Sequence, residues 1–235
     1  MTVHLYGVLE GGATFALTTC GLDGRAVRSL PWRGRGALVS DVDERTLTAT
    51  PRRLREHDAV LRAAVMAGVT LVPARIGRLY ADDASVVCAL EDHAADVDMA
   101  LSLVRGRVEM SLLISEAVRT PEASPVLPVY TGPGAGREHL RRIQYGMRGE
   151  RNMLHAASEL AQAAARALTG LVVAERVVES PAPPVLVARA HLVARDDVAR
   201  YVGVVEAVAD ATDAAFRVAI RGPGAAYSFA AVQGG

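Results

Sequence analysis

Hydrophobic residues recur along the chain with two different periods, which predict alternating strands and helices. Residues 3–9 and 35–42 are apolar over the length of a strand, with glycine-rich turns between them. From Leu54 to Val65 the apolar positions instead recur every three or four residues, as on one face of a helix. Thr50 supplies the N-cap of that helix, and Pro51 is its first residue.

The same patterning continues as far as residue 105. A strand at residues 69–77 contains Pro73, which is typical of a sheet edge or a bulge. Asp82 and Asp83 can then cap a second helix that runs to Gly106. The pattern over residues 1–105 therefore predicts an N-terminal α+β domain that consists of a sheet with two helices.

The pattern restarts with an alternating strand at residues 107–114. A linker rich in Pro, Gly, Ser and Thr, residues 119–136, leads to a long helix at residues 137–168. Two strands, a helix and a last strand follow, at residues 171–178, 185–194, 196–211 and 216–222. The order β-α-β-β-α-β is that of the ferredoxin-like fold, so residues 106–235 predict a second α+β domain.

Charge narrows the classes of function. The 26 basic residues are all arginine and balance 26 acidic residues, so the formal net charge is zero. Nucleic-acid binding needs a basic surplus on one face, so we expect no nucleic acid partner. The lack of lysine also excludes a Walker A loop and a Schiff base with pyridoxal phosphate.

The hydrophobic content does not point to a membrane protein. No uncharged apolar run approaches the ~20 residues of a membrane span, and the N-terminus lacks the basic region of a signal peptide. We therefore expect a soluble intracellular protein. Cys20 and Cys88 are too far apart in sequence to suggest a metal pair or a disulfide framework, so each is expected to be a small buried residue.

Glu56-His57-Asp58 is the first of three clusters that could carry chemistry. His57 falls on or beside the apolar stripe of its helix, whereas Glu56 points to solvent. Adjacent residues of a helix do not face each other, so the three side chains cannot form a catalytic relay. We expect a packed imidazole with a hydrogen-bond partner.

The second cluster, Glu91-Asp92-His93 with Asp96 and Asp98, has helical spacings that could bind a metal ion. A metal site usually needs three or four convergent ligands, so a solvated acidic face is the preferred interpretation and we expect no metal. His155 and Glu159 form a further helical pair without a third ligand nearby in sequence.

The third cluster is the glycine-rich stretch TGPGAGREHLRR, which precedes a helix as anion-binding loops do. It lacks the G-x-G-x-x-G spacing and does not follow a strand of a Rossmann unit, so an interdomain connection is preferred. Arg137, Arg141 and Arg142 could still bind an anion or pair with acidic side chains. A small-molecule or anion-binding regulatory module that uses residues 132–142 therefore remains the alternative function.

Five segments occur in an order that matches a known family. They are LYGV near the start, REHDAVLRAA with VTLVPARIGRLYADDASV, LVRGRVEMSLLI, GPGAGREHLRR and a terminal RGPGAAYSF. With these segments the chain resembles, over nearly its whole length, the gas vesicle accessory proteins of the F and L type. The tail GPGAAYSF departs from the GPWPPYSF-like tail of the family, and the missing tryptophan would weaken a partner contact there.

The resemblance implies a gas vesicle assembly factor or minor vesicle component, chaperone-like, with no enzymatic activity and no cofactor. Its partners would be the hydrophobic shell subunit, whose aggregation it would limit during nucleation, and other accessory proteins, in the cytoplasm beside the vesicle. Candidate partner-binding residues are Arg137, Arg141 and Arg142 of the long helix and Tyr227 and Phe229 of the tail, residues 222–235.

Three structural observations would separate the function classes. An exposed apolar patch around the sheet or the domain cleft would favour an assembly factor. A closed polar pocket near residues 137–142 would favour anion binding, and clustered groups with strongly perturbed pKa values would favour an unrecognised hydrolase or transferase.

Overall fold

The computed structural model describes residues 1–11, 19–43, 48–117, 135–179, 181–212 and 214–230. The first half contains strands β1 (Thr2–Leu9), β2 (Arg28–Trp32), β3 (Arg35–Val42), β4 (Leu71–Pro73) and β5 (Leu79–Tyr80). Its helices are α1 (Pro51–Met66), α2 (Asp83–Asp92) and α3 (Ala94–Val104).

These strands form one antiparallel sheet in the order β2-β3-β1-β4, and β5 also pairs with β1. Side chains of β1 alternate between the two faces of the sheet, and a bulge between Leu5 and Gly7 shifts this alternation by one residue. Tyr6 and Leu9 pack in the same apolar cluster as α1, whereas Val3 and Leu5 pack with α2 and α3. The first sheet therefore has helices on both faces.

Two predicted helix caps are confirmed. The Thr50 side chain accepts a hydrogen bond from the backbone N–H of Arg53, and Pro51 begins α1. Asp82 accepts a hydrogen bond of 2.8 Å from the backbone N–H of Ser85 at the start of α2. These caps satisfy backbone donors that the first turn of a helix leaves unpaired.

The structure also differs from the sequence-based expectations. The second predicted helix is divided at His93, whose φ of −116° and ψ of 20° interrupt the helical backbone between α2 and α3. Strand β2 had not been predicted, because Pro31 interrupts its pattern. The expectation of buried cysteines was wrong, since Cys20 and Cys88 are both exposed.

The second half contains β6 (Arg107–Glu116), α4 (Ala135–Ala167), β7 (Val172–Val177), β8 (Val185–Ala194), α5 (Val198–Asp210) and β9 (Phe216–Gly224). The strands form an antiparallel sheet in the order β7-β8-β6-β9. This is the order that a split βαβ repeat produces, so the predicted ferredoxin-like arrangement is confirmed. α4 and α5 pack on one face of this sheet.

One apolar cluster joins the two halves. It includes Tyr6 and Leu61 of the first half together with Met110 and Tyr201 of the second. We propose a domain boundary near residue 105, between α3 and β6. None of the helices that the structure describes is both long enough and apolar enough to cross a membrane.

The C-terminal tail returns to the first half. Ala226 and Ala230 are buried in the same apolar cluster as Val3 and Leu5, and Phe229 packs against it. The tail therefore completes the packing around the first sheet.

Candidate partner-binding site

His57 of α1 is buried in a polar cluster between α1 and the first sheet. Its Nδ1 lies 3.0 Å from Nε2 of His4, and its Nε2 lies 3.0 Å from the carbonyl oxygen of Ala74. Because a carbonyl can only accept, neutral His57 donates from Nε2 and accepts at Nδ1 from His4. The prediction of a packed imidazole with a hydrogen-bond partner is confirmed.

Tyr6 completes this group, which we call the first histidine cluster: His4, Tyr6 and His57. The rings of Tyr6 and His57 are stacked with centroids 5.2 Å apart. The Tyr6 hydroxyl accepts from the backbone N–H of Leu22 at 2.7 Å and lies 2.9 Å from the hydroxyl oxygen of Ser40. The backbone N–H of Leu22 and the hydroxyl of Ser40 therefore share the Tyr6 hydroxyl as a hydrogen-bond partner.

Burial keeps both histidines of this cluster neutral. Desolvation and, to a smaller extent, the charge of a protonated His57 lower the pKa of His4 to about 3, against the opposing effect of a backbone hydrogen bond at Arg78. Desolvation also lowers the pKa of His57 to about 4, while the Ala74 carbonyl and the charge of Asp58 oppose this shift. These properties favour a structural role for His57 in stabilising the fold.

A second histidine cluster, Glu175, His191 and Tyr201, lies between the second sheet and α5. Nδ1 of His191 is 2.8 Å from the Tyr201 hydroxyl, and Nε2 is 3.5 Å from a carboxylate oxygen of Glu175. Burial lowers the pKa of His191, whereas the Glu175 carboxylate raises it. Sequence reasoning missed this cluster because its members lie on β7, β8 and α5, and only strand register brings them together.

One carboxylate anchors the tail to β6. Glu109 accepts hydrogen bonds from the backbone N–H and the hydroxyl of Ser228, both at 2.8 Å. Burial raises the pKa of Glu109, and the bonds from Ser228 act in the opposite direction. The neighbouring Tyr227 ring lies 6.4 Å from that of His57, measured between centroids. The tail thus meets both β6 and α1.

Gly222 allows the tail to turn onto β6. Its φ is +120°, a conformation that residues with a side chain rarely adopt, and a Cβ there would lie 2.7 Å from the carbonyl oxygen of Glu109. The peptide bond from Gly222 to Pro223 is cis. The first glycine of the GPG segment therefore has a structural role.

A cleft of about 190 Å³ opens where α1, β6 and the tail meet. Its charged lining consists of Asp58, Arg62, Glu109 and Arg221, beside Tyr227. Arg62 donates a hydrogen bond of 2.6 Å to Asp58. Burial raises the pKa of Tyr227, and the carboxylates of Asp58 and Glu109 raise it further, so the phenol stays protonated.

The predicted partner-binding residues occupy different places in the chain. Tyr227 is 36% exposed at the cleft, whereas Phe229 packs against its own chain. Arg137, Arg141 and Arg142 are residues of α4, for which the structure describes the backbone but not these side chains. The glycine-rich loop before them, residues 131–134, also lies outside the described residues, so no contact tests its anion-binding interpretation.

The acidic cluster on α2 and α3 contacts the hairpin of β2 and β3. Glu91 accepts a hydrogen bond of 2.8 Å from Nε1 of Trp32 and also pairs with Arg33. Asp98 pairs with Arg35. These carboxylates therefore hold the helices to the first sheet, which is a structural role.

The remaining histidine pairs lie at the surface, with His155 exposed and His93 partly exposed. Nδ1 of His93 lies 3.7 Å from Asp96, and Nε2 of His155 lies 3.6 Å from Glu159. A groove of about 470 Å³ between β5 and α2 passes beside His93. Among the residues that the structure describes, no three His, Cys, Asp or Glu side chains are placed to hold a metal ion.

Apolar side chains are exposed along β7 and directly after it. The exposed fractions of Val173, Val177 and Val178 are 50%, 59% and 42%. β7 is an edge strand of the second sheet, so one row of its backbone groups has no neighbouring strand among the residues that the structure describes. Leu154 of α4 is also exposed.

The fold of this chain combines a first sheet that has helices on both faces with a second, ferredoxin-like sheet. Solved structures of gas vesicle proteins have a similar fold. The crystal structure of gas vesicle protein GvpF from Anabaena sp. PCC7120 matches with a TM-score of 0.80 and 23% identity, over 99% of this chain and 97% of that chain. GvpF from Microcystis aeruginosa matches with a TM-score of 0.74 and 18% identity, over 97% and 98% of the two chains.

These structural matches show the fold, and a match to a family model shows the family to which the chain belongs. The model described as gas vesicle synthesis protein GvpL/GvpF matches residues 2–231. The chain therefore belongs to the GvpL/GvpF family, which confirms the resemblance found in its sequence segments. No curated protein matches the chain.

Proposed function

We propose that this protein is a gas vesicle assembly factor, or a minor vesicle component, that binds the hydrophobic shell subunit. It limits aggregation of that subunit during nucleation and acts by binding, without a catalytic step. Membership in a family of gas vesicle synthesis proteins supports a role in vesicle formation. The site of action is the cytoplasm beside the growing vesicle, together with other accessory proteins.

The exposed apolar edge at β7 is the observation that carries the proposal. An edge strand can pair its free backbone groups with an extended segment of another chain. Val173, Val177 and Val178 would then lose their contact with water. Burying each half-exposed valine contributes about 1 kcal/mol, so the three together raise the affinity roughly a hundredfold.

Co-expression with the shell subunit tests this proposal. The tagged chain is captured, and size-exclusion chromatography shows whether the shell protein elutes in a soluble complex. In the variant Val173→Thr/Val177→Thr/Val178→Thr, the side chains keep their branched shape but become polar. We expect the wild-type chain to yield a complex and this variant to leave the shell protein aggregated.

A matched control removes exposed apolar side chains elsewhere. Met66 of α1 and Met99 of α3 are both exposed, and Met66→Gln/Met99→Gln should leave the complex intact. Aggregation of the shell protein beside the wild-type chain would rule out direct binding. A complex that survives the three threonine substitutions would instead place the contact away from β7.

A further inference from the structure

The cleft where α1, β6 and the tail meet contains hydrogen-bond donors without a protein partner. Within the part of the chain that the structure describes, the Arg221 side chain has neither a hydrogen bond nor an acidic partner, and the hydroxyls of Ser111 and Tyr227 have no hydrogen bond. All three residues line the cleft. A concave surface on which several unpaired polar groups converge is typical of a binding site for a small molecule.

The charges of this cleft are separated along β6. In the pairing of β6 with β9, Arg221 lies directly opposite Ser111, whereas Glu109 lies opposite Gly224. Ser111 and Glu109 are two residues apart on one face of β6, a distance of about 7 Å. One end of the cleft therefore donates hydrogen bonds from Arg221 and Ser111, and the other end carries the negative charge of Glu109.

Asp58 of α1 belongs to the negative end. After burial, the carboxylate charges of Asp58 and Glu109 are what raise the pKa of Tyr227, so both carboxylates lie around this phenol. Arg62 donates to one oxygen of Asp58, and the other oxygen has no partner among the described residues. Each oxygen of Glu109 accepts one hydrogen bond from Ser228 and can accept another. This end can still bind a positively charged donor.

Charge balance and size limit the ligands that fit. Two arginines and two carboxylates line the cleft, and its volume of about 190 Å³ is below the ~300–1,000 Å³ of drug-sized sites. A phosphate group, with a charge of about −1.5 to −2, would be repelled by the two carboxylates. A simple cation would be repelled by the two arginines. A small molecule with one positive and one negative group, a few bonds apart, complements both ends.

We propose that this cleft binds a small zwitterion of the α-amino acid class. Its carboxylate pairs with the guanidinium group of Arg221, whose planar fork of donors matches a carboxylate, and accepts from the Ser111 hydroxyl. Its ammonium group donates to the free oxygen of Asp58 and to the hydroxyl oxygen of Tyr227. Because α1, β6 and the tail all line the cleft, the bound ligand holds the two halves of the chain together. The site is separate from the proposed shell contact at the β7 edge.

Titration of the full chain with L-alanine and its two halves tests the proposal. Propionate has the carboxylate of L-alanine without the ammonium group, and ethylamine has the ammonium group without the carboxylate. NMR spectra follow the backbone N–H groups of Gly224 and Tyr227, which line the cleft. We expect L-alanine to shift these signals to saturation and to bind at least about tenfold more tightly than either half, since each half lacks one charge-assisted contact.

The variant Arg221→Gln tests the positive end of the cleft. It should weaken the binding of L-alanine at least about tenfold, because the charge that pairs with the carboxylate is lost. Arg217→Gln is the matched control, since Arg217 is an exposed arginine of the same strand outside the cleft. The control should bind L-alanine within about twofold of the wild type. Thermal unfolding checks that both variants fold.

The variant Asp58→Asn tests the negative end. It should weaken the binding of L-alanine but leave propionate bound at least as tightly as in the wild type, because a carboxylate ligand no longer meets this negative charge. A merely structural role of Asp58 would instead weaken the binding of both compounds.

Several results would overturn the proposal. They are the absence of saturable shifts with L-alanine, binding of propionate or ethylamine as tight as that of L-alanine, tighter binding of inorganic phosphate, and equal losses in the two arginine variants. Capture of the shell subunit is measured separately, so a failure of L-alanine binding would not contradict the proposed function.

Discussion

His57 and His191 are both buried histidines, but their polar surroundings differ. His57 contacts a second histidine and a backbone carbonyl, whereas His191 contacts a tyrosine and lies 3.5 Å from the carboxylate of Glu175. Burial lowers the pKa of both. At His191 the largest opposing effect is a nearby negative charge, while at His57 it is the hydrogen bond to Ala74.

This difference decides how each cluster responds to a proton. A carboxylate beside a buried imidazole can stabilise the protonated form, but a second imidazole cannot, since two positive charges repel each other. The first histidine cluster should therefore be the acid-sensitive one. It also contacts the tail through Tyr227, so its protonation weakens the site where the two halves meet.

Acidification should produce the largest change in stability that follows from this comparison. The pKa values of His4 and His57 are about 3 and 4 in the folded chain, against 6.5 when unfolded. Their contribution to stability is complete above pH 6.5 and decreases below it, because the unfolded chain takes up protons first. At pH 5 the loss is about 2 kcal/mol for each histidine, which urea unfolding between pH 7 and pH 5 measures.

The variant His57→Gln tests whether His57 accounts for its share of this loss in unfolding free energy. Its amide can still donate to the Ala74 carbonyl but cannot titrate. Between pH 6.5 and pH 5, the dependence of the unfolding free energy on pH should decrease by about 1 kcal/mol per pH unit on average. His155→Gln replaces an exposed histidine and should leave the slope unchanged. An unchanged slope in His57→Gln would contradict the assignment.

Gly222→Ala is the strongest single substitution at the tail. The new Cβ would meet the Glu109 carbonyl oxygen, and the φ of +120° would be strained. We expect a loss of about 3 kcal/mol in the unfolding free energy. Gly203→Ala in α5 is the control, since its Cβ would enter open space and should stabilise the helix by about 0.5–1 kcal/mol. Equal effects would mean that the turn is not constrained as described.

Tyr6→Phe and Tyr201→Phe compare the two clusters directly. Loss of the Tyr6 hydroxyl leaves both the Leu22 N–H and the Ser40 hydroxyl without this partner, which should cost about 2 kcal/mol. Loss of the Tyr201 hydroxyl removes one hydrogen-bond partner, that of His191 Nδ1, within the described part of the chain, so about 1 kcal/mol is expected. Chemical denaturation of both variants ranks them, and the reverse order would refute the difference in hydrogen bonding.

Glu175→Gln should have the smallest effect on stability. The Glu175 side chain is partly exposed, so the loss should be below about 1 kcal/mol. Its diagnostic effect is on the pKa of His191, which should fall because the carboxylate charge that raises it is gone. NMR titration measures this pKa, with the exposed substitution Glu206→Gln as the control. A pKa that rises or stays constant would argue against the ion pair.

Much of the fold could be predicted because its signals are local. Thr50 with Pro51 and the Asp82 cap mark helix starts within a few residues, and the alternation from Val108 to Ile114 identifies a strand. The split of the second helix could not be predicted in this way, since no glycine or proline marks His93. Strand order followed from the sequence of elements once these were recognised.

The candidate surfaces depend on long-range pairing. Glu109 looks like any polar residue of an alternating strand, and its partner Ser228 lies far along the chain. Arg221 and Ser111 come from different strands, so only register shows that they lie side by side. Sequence spacing alone contains neither fact.

The position of the tail has a consequence for synthesis on the ribosome. Val3 and Leu5 emerge first, yet the cluster that buries them also contains Ala226 and Ala230 near the other end. At ordinary translation speeds these late residues follow roughly 10 to 45 s after the early ones. During that interval the nascent first sheet cannot complete its core, and a chain cut short before the tail keeps an uncovered apolar surface that a chaperone can recognise.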